Sequence, residues 1–200
     1  MPHYLYRSES FIVGSRPVGE GSRLLDLITA RLGRVPVLAQ GSRELRSKLR
    51  CQLTDFNFIQ ATLVRGREFW RLVGAEPPAD FNVAKLIVDG NCRTLIARLA
   101  LLLRRFLPSD ETSADPRLYA EVRSAIYFLT QHQLSDCERA QYEITAVWRL
   151  LARLGYGRRT PTLLALLTPT DWSHDLLAAT ATCHAEAVAS INEALYHSHL

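Results

Sequence analysis

The sequence lacks the motifs of the common enzyme and metal-site classes. Its four cysteines, at positions 51, 92, 137 and 183, lie roughly forty residues apart without a Cys-x-x-Cys pair, so no zinc site of closely spaced ligands is encoded. No Walker loop, Gly-x-Ser-x-Gly, Gly-x-Gly-x-x-Gly or His-Glu-x-x-His motif is present. We therefore expect free thiols, no metal, no cofactor and no catalytic residues. A hydrolase without a recognisable motif is the alternative.

Long apolar runs are also missing. The longest apolar stretch, residues 95–107, is interrupted by Arg98, Arg104 and Arg105, and a membrane span needs about 18 consecutive apolar residues. The first ten residues, MPHYLYRSES, contain no apolar core of a secretion signal. Because 48% of the 200 residues are apolar, we expect a folded, cytoplasmic protein rather than a membrane or disordered one.

Positive charge is unevenly distributed. The net charge is +4, yet residues 1–76 hold 12 basic against 7 acidic residues, whereas residues 77–200 hold 12 against 13. The density is highest in residues 31–50, where six basic residues accompany only Glu44. Such a concentration on one module is typical of a protein that binds a polyanion. A basic surface that serves only solubility is the alternative.

The first third of the chain has the pattern of a small β-barrel. Short apolar or aromatic runs end at glycine-rich turns, which predicts five strands that curl into a closed or nearly closed barrel. The runs cover residues 4–13, 24–28, 35–39, 56–64 and 69–73. The aromatic residues of these runs either stack on bases or fill the core, and for Phe56 and Phe58 we favour the core. The others are Tyr4, Tyr6 and Trp70.

One basic segment interrupts the strand pattern. In SRELRSKLRCQLTD, residues 42–55, Arg43, Arg46 and Arg50 would share one face of a helix, opposite Leu45 and Leu49. The alternative is a mobile loop, in which the same charges remain available but are not preorganised.

Helical periodicity begins after Pro77-Pro78. Apolar residues recur at helical spacing in residues 80–107 with a break at Asp89-Gly90-Asn91, and again after Asp115-Pro116. A capping box at Ser135 to Glu138 predicts the start of another helix, and a last helix is predicted over residues 171–196. The fold class is thus α+β, a barrel domain over residues 1–78 followed by an all-α domain over residues 79–200.

The basic residues at strand ends and turns are the candidate DNA-binding residues. Such side chains would form an electropositive rim that follows phosphates without reading base sequence. They are Arg16, Arg23, Arg34, Arg43, Arg46, Lys48, Arg50, Arg65 and Arg67.

Several short strings of residues 11–76 resemble the N-terminal domain of the bacterial DNA repair protein RecO family. The resemblance rests on Arg16-Pro17-x-Gly19-Glu20, Arg23-Leu24, Leu27-x-Thr29, Leu32-Gly33-Arg34, Gly41-Ser42-Arg43, Ser47-x-Leu49-Arg50 and Arg65-Gly66-Arg67. The strings Tyr142-Glu143 and Leu154-Gly155-Tyr156 resemble the family more loosely. Many members carry a four-cysteine zinc motif after the latter string, but residues 157–161, GRRTP, contain no cysteine.

The resemblance implies an OB-fold barrel joined to helices, in a recombination mediator that is not an enzyme. Such proteins bind single- and double-stranded DNA, anneal strands coated by single-strand-binding protein, and work with RecR to load RecA. We further expect association with the nucleoid, and a second hypothesis is that the helical domain docks the acidic, apolar tail of single-strand-binding protein. Our candidates for that dock are Trp148, Arg149, Arg153, Arg158 and Arg159. An OB-fold adaptor for RNA or for a protein is the alternative function.

Overall fold

The computed structural model describes residues 4–44, 47, 49–78, 90–109, 114–168 and 171–198. The chain divides into two compact units, Met1–Pro116 and Arg117–Leu200, called here the barrel unit and the helical unit. Residues 79–89 lie outside the described residues, so the domain boundary predicted after residue 78 and the helix predicted before Gly90 stay predictions.

The barrel unit contains the five predicted strands. They are β1 (Leu5–Val18), β2 (Ser22–Thr29), β3 (Gly33–Ala39), β4 (Phe58–Arg65) and β5 (Trp70–Glu76). They close into a barrel in the order β1-β2-β3-β5-β4, in which only β3 and β5 are parallel. This is the five-stranded arrangement of an OB-fold, so the predicted fold class is confirmed.

The length of β1 follows from the tilt of the strands. Leu5 pairs with Val64 of β4, and following the pairs around the barrel through Arg71, Leu38 and Leu24 returns to β1 at Arg16. Closure of a small barrel requires such a stagger. β1 therefore uses its first half to pair with β4 and its second half to pair with β2.

Alternate residues of the strands fill the barrel. Ile12, Leu25, Val37 and Leu63 are at most 2% exposed and belong to one apolar cluster. Burying each such side chain contributes roughly 1.5–3 kcal/mol. Leu53, from the connection between β3 and β4, is also fully buried in this cluster.

The basic segment between β3 and β4 forms a series of turns rather than a helix in its described residues. Its backbone hydrogen bonds mostly join residues three apart, such as Ser47 N to Glu44 O at 3.0 Å and Arg50 N to Ser47 O at 3.3 Å. Buried Leu53 ties the end of this segment to the barrel. The loop alternative is therefore the one that the described residues support.

Helix α1 (Gly90–Phe106) belongs to the barrel unit and contacts β1. Its buried face includes Leu95, Ile96, Leu99 and Leu103, at the helical spacing predicted from the sequence. Of the described helices, none is long and apolar enough to cross a membrane.

In the described residues of the helical unit, five helices follow: α2 (Pro116–Gln131), α3 (Asp136–Arg153), α4 (Pro161–Leu164), α5 (His174–Thr182) and α6 (His184–His197). The predicted capping box is present at the start of α3, where the side chains of Ser135 and Glu138 each accept from the other's backbone N–H. Trp148 of α3 is fully buried and donates to the Ser190 hydroxyl of α6 at 3.3 Å.

The prediction of one continuous last helix is wrong. The chain leaves helical geometry at Cys183, where φ is −115° and ψ is 21°. The hydroxyl of Thr182 donates to the carbonyl of Ala179 at 2.7 Å, and the Cys183 thiol donates to the Thr180 carbonyl at 3.6 Å. The backbone N–H of Cys183 donates to the Thr180 carbonyl, three residues back, at 3.2 Å, so the four-residue hydrogen-bond pattern of the α-helix is interrupted here.

Candidate nucleic-acid interface

Three of the predicted DNA-binding arginines line one surface pocket of about 410 Å³. Arg23 is the second residue of β2, and Arg43 and Arg50 come from the connection after β3. Among the residues that the structure describes, Pro17 and Ser42 also line the pocket. We call this the arginine pocket. Guanidinium groups carry a permanent charge and several donors, which suits them to phosphate oxygens.

Backbone hydrogen bonds hold the arginine pocket in shape. Arg23 donates to the carbonyl of Leu53 at 2.9 Å, and Arg43 donates to the carbonyl of Gly19 at 3.3 Å. The Arg43 N–H donates to the carbonyl of Gly21 at 2.9 Å, which ties the β3–β4 connection to the β1–β2 turn. The connection thus carries Arg43 and Arg50 to the same place as Arg23, although they lie 20 or more residues apart in the sequence.

A second pocket of about 380 Å³, here the face pocket, lies on the outer side of β1, β2 and β3. Its lining includes Arg16, Leu24, Asp26, Arg34, Phe69 and Arg104. Arg16 and Leu24 line this pocket, whereas Pro17 and Arg23, the adjacent residues of the same two strands, line the arginine pocket. In OB-folds, the outer face of β2 and β3 and the β1–β2 and β4–β5 turns bind oligonucleotides.

Arg34 is committed to the structure of the barrel unit. Its Nε and Nη2 donate to the two oxygens of Asp26 at 3.0 and 2.8 Å, and its Nη1 donates to the carbonyls of Arg104 and Leu107, both at 2.7 Å. These carbonyls stand at the C-terminal end of α1, where backbone acceptors lack partners within the helix. The predicted role of Arg34 in DNA binding stays a prediction, and the geometry gives the residue a structural role.

The remaining predicted arginines of the barrel unit differ in their surroundings. Arg16 and Arg67 are exposed, and the Arg65 guanidinium lies 5.2 Å from the centre of the Trp70 ring. Arg46 and Lys48 lie outside the described residues.

The aromatic candidates divide between core and surface. Phe58 is 1% exposed and stacks on Phe11 at 4.7 Å, as expected for a core residue, and Trp70 is also buried. Phe56 is half-buried, with a positive φ of 71°. Tyr4 and Tyr6 are exposed, the edge of Tyr6 lying against Trp70.

Sequence reasoning missed Phe69 and Arg104 of the face pocket. Phe69 is an aromatic residue in the β4–β5 turn, two residues after the Arg65-Gly66-Arg67 string, and this position could have indicated it. Nothing in the sequence pattern joins Arg104 to the barrel, because the contact depends on how α1 packs.

The predicted peptide dock of the helical unit is only partly at the surface. Trp148 and Arg149 are fully buried, and Arg149 Nε lies 2.7 Å from Oε1 of Glu121. Arg153 is half-buried, at 3.6 Å from the same carboxylate, whereas Arg158 and Arg159 are exposed. Burial keeps Trp148 and Arg149 from contact with a partner in this conformation. No group of three or more metal-binding side chains occurs in the part of the chain that the structure describes.

All five strands of the barrel lie in the region that matches a known protein family. Residues 1–80 match the family model described as Recombination protein O N terminal. The chain is 30% identical over 152 residues to the DNA repair protein RecO of Heliobacterium modesticaldum, covering 76% of this chain and 52% of that protein. It is 28% identical over 140 residues to the DNA repair protein RecO of Gloeothece citriformis, covering 62% and 50%, respectively. The chain thus spans about half the length of these curated relatives.

Proposed function

The chain belongs to the RecO family, and on this premise we propose that it is a recombination mediator in DNA repair that binds DNA through its barrel. The observation that supports this proposal most is the arginine pocket, where three guanidinium groups from two separate parts of the sequence line one concave surface. Single and double strands both offer phosphates, so the barrel binds either form of DNA. Because phosphates carry no information about the bases, binding is independent of base sequence.

The proposed activity is strand annealing without catalysis. A protein that binds phosphates on two strands reduces their mutual repulsion, which helps complementary bases to meet. In the full proposal the chain anneals single strands coated by single-strand-binding protein, and it assists RecR in loading RecA. These steps are proposed from the family resemblance and from the basic barrel.

The proposed contact with the tail of single-strand-binding protein now rests on a smaller set of residues. Arg158 and Arg159 are exposed near Tyr156, whose side chain is also exposed, and this combination suits an acidic and apolar peptide. Calorimetric titration with the tail peptide should show binding that Arg159→Glu weakens. Absence of binding to the unmodified chain would overturn this part of the proposal.

Annealing of complementary oligonucleotides, each coated with the cognate single-strand-binding protein, tests the proposed function directly. We expect faster annealing with the chain than without it, and slower annealing with Arg43→Gln/Arg50→Gln. Competition between deoxyribo- and ribo-oligonucleotides of equal length tests the adaptor alternative. Preference for RNA, or no binding of either, would contradict the proposal.

A further inference from the structure

We propose that the free edge of β5 pairs with the same edge of a second copy of the chain and forms a weak two-fold dimer. The two strands run antiparallel, with Arg71 of each copy opposite Glu76 of the other. This inference goes beyond the proposed function and does not depend on DNA binding. A dimer carries two barrels in one particle, which suits a reaction that brings two strands together.

Most of β5 extends past the end of its parallel neighbour, β3. The last pair between the two strands joins Leu38 to Arg71, and β3 ends one residue later at Ala39. Among the described backbone pairs, residues 72–76 of β5 pair with β4 alone. The other side of this segment therefore presents backbone N–H and C=O groups without a strand partner in the described part of the chain. Such an edge is a template for pairing with another strand.

A β-bulge interrupts this segment at Val73. The pairs on either side join Leu72 to Leu63 and Gly74 to Thr62, so β5 has one residue more than β4 at this point. Val73 is 58% exposed. The bulge therefore shifts the alternation of faces along β5 and leaves an apolar side chain on the outside of the barrel.

Because of the bulge, Arg71 and Glu76 lie on the same face of β5. Residues five positions apart point to opposite faces of a regular strand. Here Trp70 and Ala75, which are also five apart, both point inward and are 4% and 8% exposed. Arg71 and Glu76 are both exposed. A positive charge near one end of the segment and a negative charge at its other end thus face the same side.

Antiparallel pairing with a second copy makes this pattern complementary to itself. When Arg71 lies opposite Glu76 of the other copy, residues 72–75 of the two copies pair with each other. Val73 then lies opposite Gly74, which has no side chain to obstruct it. Opposite charges that face each other across two strands stabilise their pairing. The two-fold axis repeats the contact, so the dimer gains two such pairs.

Within its own chain, Glu76 is held by an exposed ion pair. Arg7 Nη2 lies 2.8 Å from Oε2 of Glu76, and the two side chains are 64% and 70% exposed. Exposed ion pairs contribute little to stability, and a carboxylate can accept from two arginines at once. The pair with Arg7 therefore does not prevent Glu76 from meeting Arg71 of a second copy.

The first half of β1 has a second free edge, which does not suit itself in the same way. Among the described backbone pairs, residues 5–8 pair with β4 alone, and the charged residue of this segment is Arg7. Pairing this edge with itself would bring two positive charges together. Pairing β1 of one copy with β5 of the next would leave free edges at both ends and continue into an open chain of copies. Pairing of β5 with itself closes as a dimer.

Sedimentation velocity on the full chain without DNA, from micromolar to near-millimolar concentrations, tests the dimer. The edge joins few residues of each copy, so we expect a weak dimer that dissociates on dilution. Arg71→Glu should raise the dissociation constant about tenfold or more, because two attractive contacts become repulsive. Glu76→Arg should have the same effect for the same reason.

The charge swap distinguishes this register from other ways to associate. Arg71→Glu/Glu76→Arg should return the dissociation constant close to that of the unmodified chain. Arg31→Glu, an equal change of charge at an exposed residue of the β2–β3 turn, is the matched control and should not alter it. Thermal unfolding of each variant verifies that the barrel is intact.

Three results would each overturn the inference. They are a chain that stays monomeric at near-millimolar concentration, a dimer that Arg71→Glu does not weaken, and a charge swap that does not restore association. The proposed function is judged separately, by annealing and by the salt dependence of DNA affinity, so it survives the loss of the dimer.

Discussion

Arg50 in the barrel unit and Arg149 in the helical unit are the same side chain in opposite surroundings. Arg50 is exposed and lines a pocket with two other arginines. Arg149 is fully buried, and its guanidinium faces the carboxylate of Glu121 and the ring of Trp172, 5.3 Å away. The two units also differ in net charge, since the excess of basic residues lies entirely in residues 1–76.

This difference shows that arginines must be distinguished by what they contact within the fold. A guanidinium already held by carboxylates and carbonyls stabilises the protein and has few donors left for a phosphate. Arg34 demonstrates this within the barrel unit. It lies in residues 31–50, the most basic stretch of the chain, yet its donors are held by Asp26 and by backbone carbonyls. We therefore expect that replacing the arginines held within the fold lowers stability, and that replacing the exposed arginines of the barrel lowers DNA affinity.

The largest expected effect is on the stability of the helical unit. Arg149→Ala leaves the buried Glu121 carboxylate without its main partner and should lower the free energy of unfolding by about 3–5 kcal/mol. Denaturant unfolding measures the loss, with exposed Arg159→Ala as the control, expected within about 0.5 kcal/mol. Replacing the pair together, Arg149→Met with Glu121→Leu, should recover most of the stability. A cost below 1 kcal/mol for Arg149→Ala would contradict the structural role.

A smaller loss of stability is expected in the barrel unit. Arg34→Ala removes four hydrogen bonds of a half-buried guanidinium and should lower the free energy of unfolding by about 2 kcal/mol. The salt dependence of DNA affinity should stay the same, because Arg34 is not expected to contact phosphate. If Arg34→Ala left the stability unchanged and made the DNA affinity less dependent on salt, Arg34 would instead be a DNA-binding residue.

Arg16→Gln, in the face pocket, should lower the DNA affinity and its salt dependence and leave the stability unchanged, the opposite of the result expected for Arg34→Ala. Loss of one phosphate contact lowers the slope of log affinity against log salt by about one and the affinity roughly tenfold near 0.1 M salt. Because the side chain is exposed, the free energy of unfolding should change by less than about 0.5 kcal/mol. Fluorescence anisotropy over a range of salt concentrations measures the slope. An Arg16 variant that destabilises the barrel would weaken the distinction between the two groups.

The smallest effect concerns pH. The hydroxyl and backbone N–H of Ser135, and then His174, lower the pKa of Glu138 from 4.5 to about 2. The stabilisation from the Glu138 charge is complete above pH 4.5 and is lost as the pH falls toward 2. The free energy of unfolding of Glu138→Gln should therefore approach that of the unmodified chain as the pH falls from 4.5 toward 2. A constant difference from pH 6 to pH 2 would show that the charge does not contribute.

The barrel was predictable because local signals agree with the fold. Glycine-rich turns separate short apolar runs, and alternation within the runs places Leu25, Val37 and Leu63 in the core. The break at Cys183 was not predictable from apolar spacing, because that spacing carries no signal of a local change in backbone hydrogen bonding.

The candidate site was predictable in composition but not in geometry. Arg23, Arg43 and Arg50 were identified from charge, and the turns between β3 and β4 bring them together. Two partners of Arg34, the carbonyls of Arg104 and Leu107, lie 70 and 73 residues further along the chain, and Glu121 lies 28 residues before Arg149. Periodicity does not reveal such distant pairs. The sequence alone therefore could not distinguish arginines that are held within the fold, such as Arg34 and Arg149, from arginines that are free to bind phosphate.

The most direct test compares two double variants that remove the same charge from different units. The dissociation constant for a single-stranded oligonucleotide is measured against salt for the unmodified chain, for Arg43→Gln/Arg50→Gln and for Arg158→Gln/Arg159→Gln. The account predicts that the slope of log affinity against log salt decreases by about two for the barrel variant and changes little for the helical variant. Equal decreases in both, or a decrease confined to the helical variant, would contradict it.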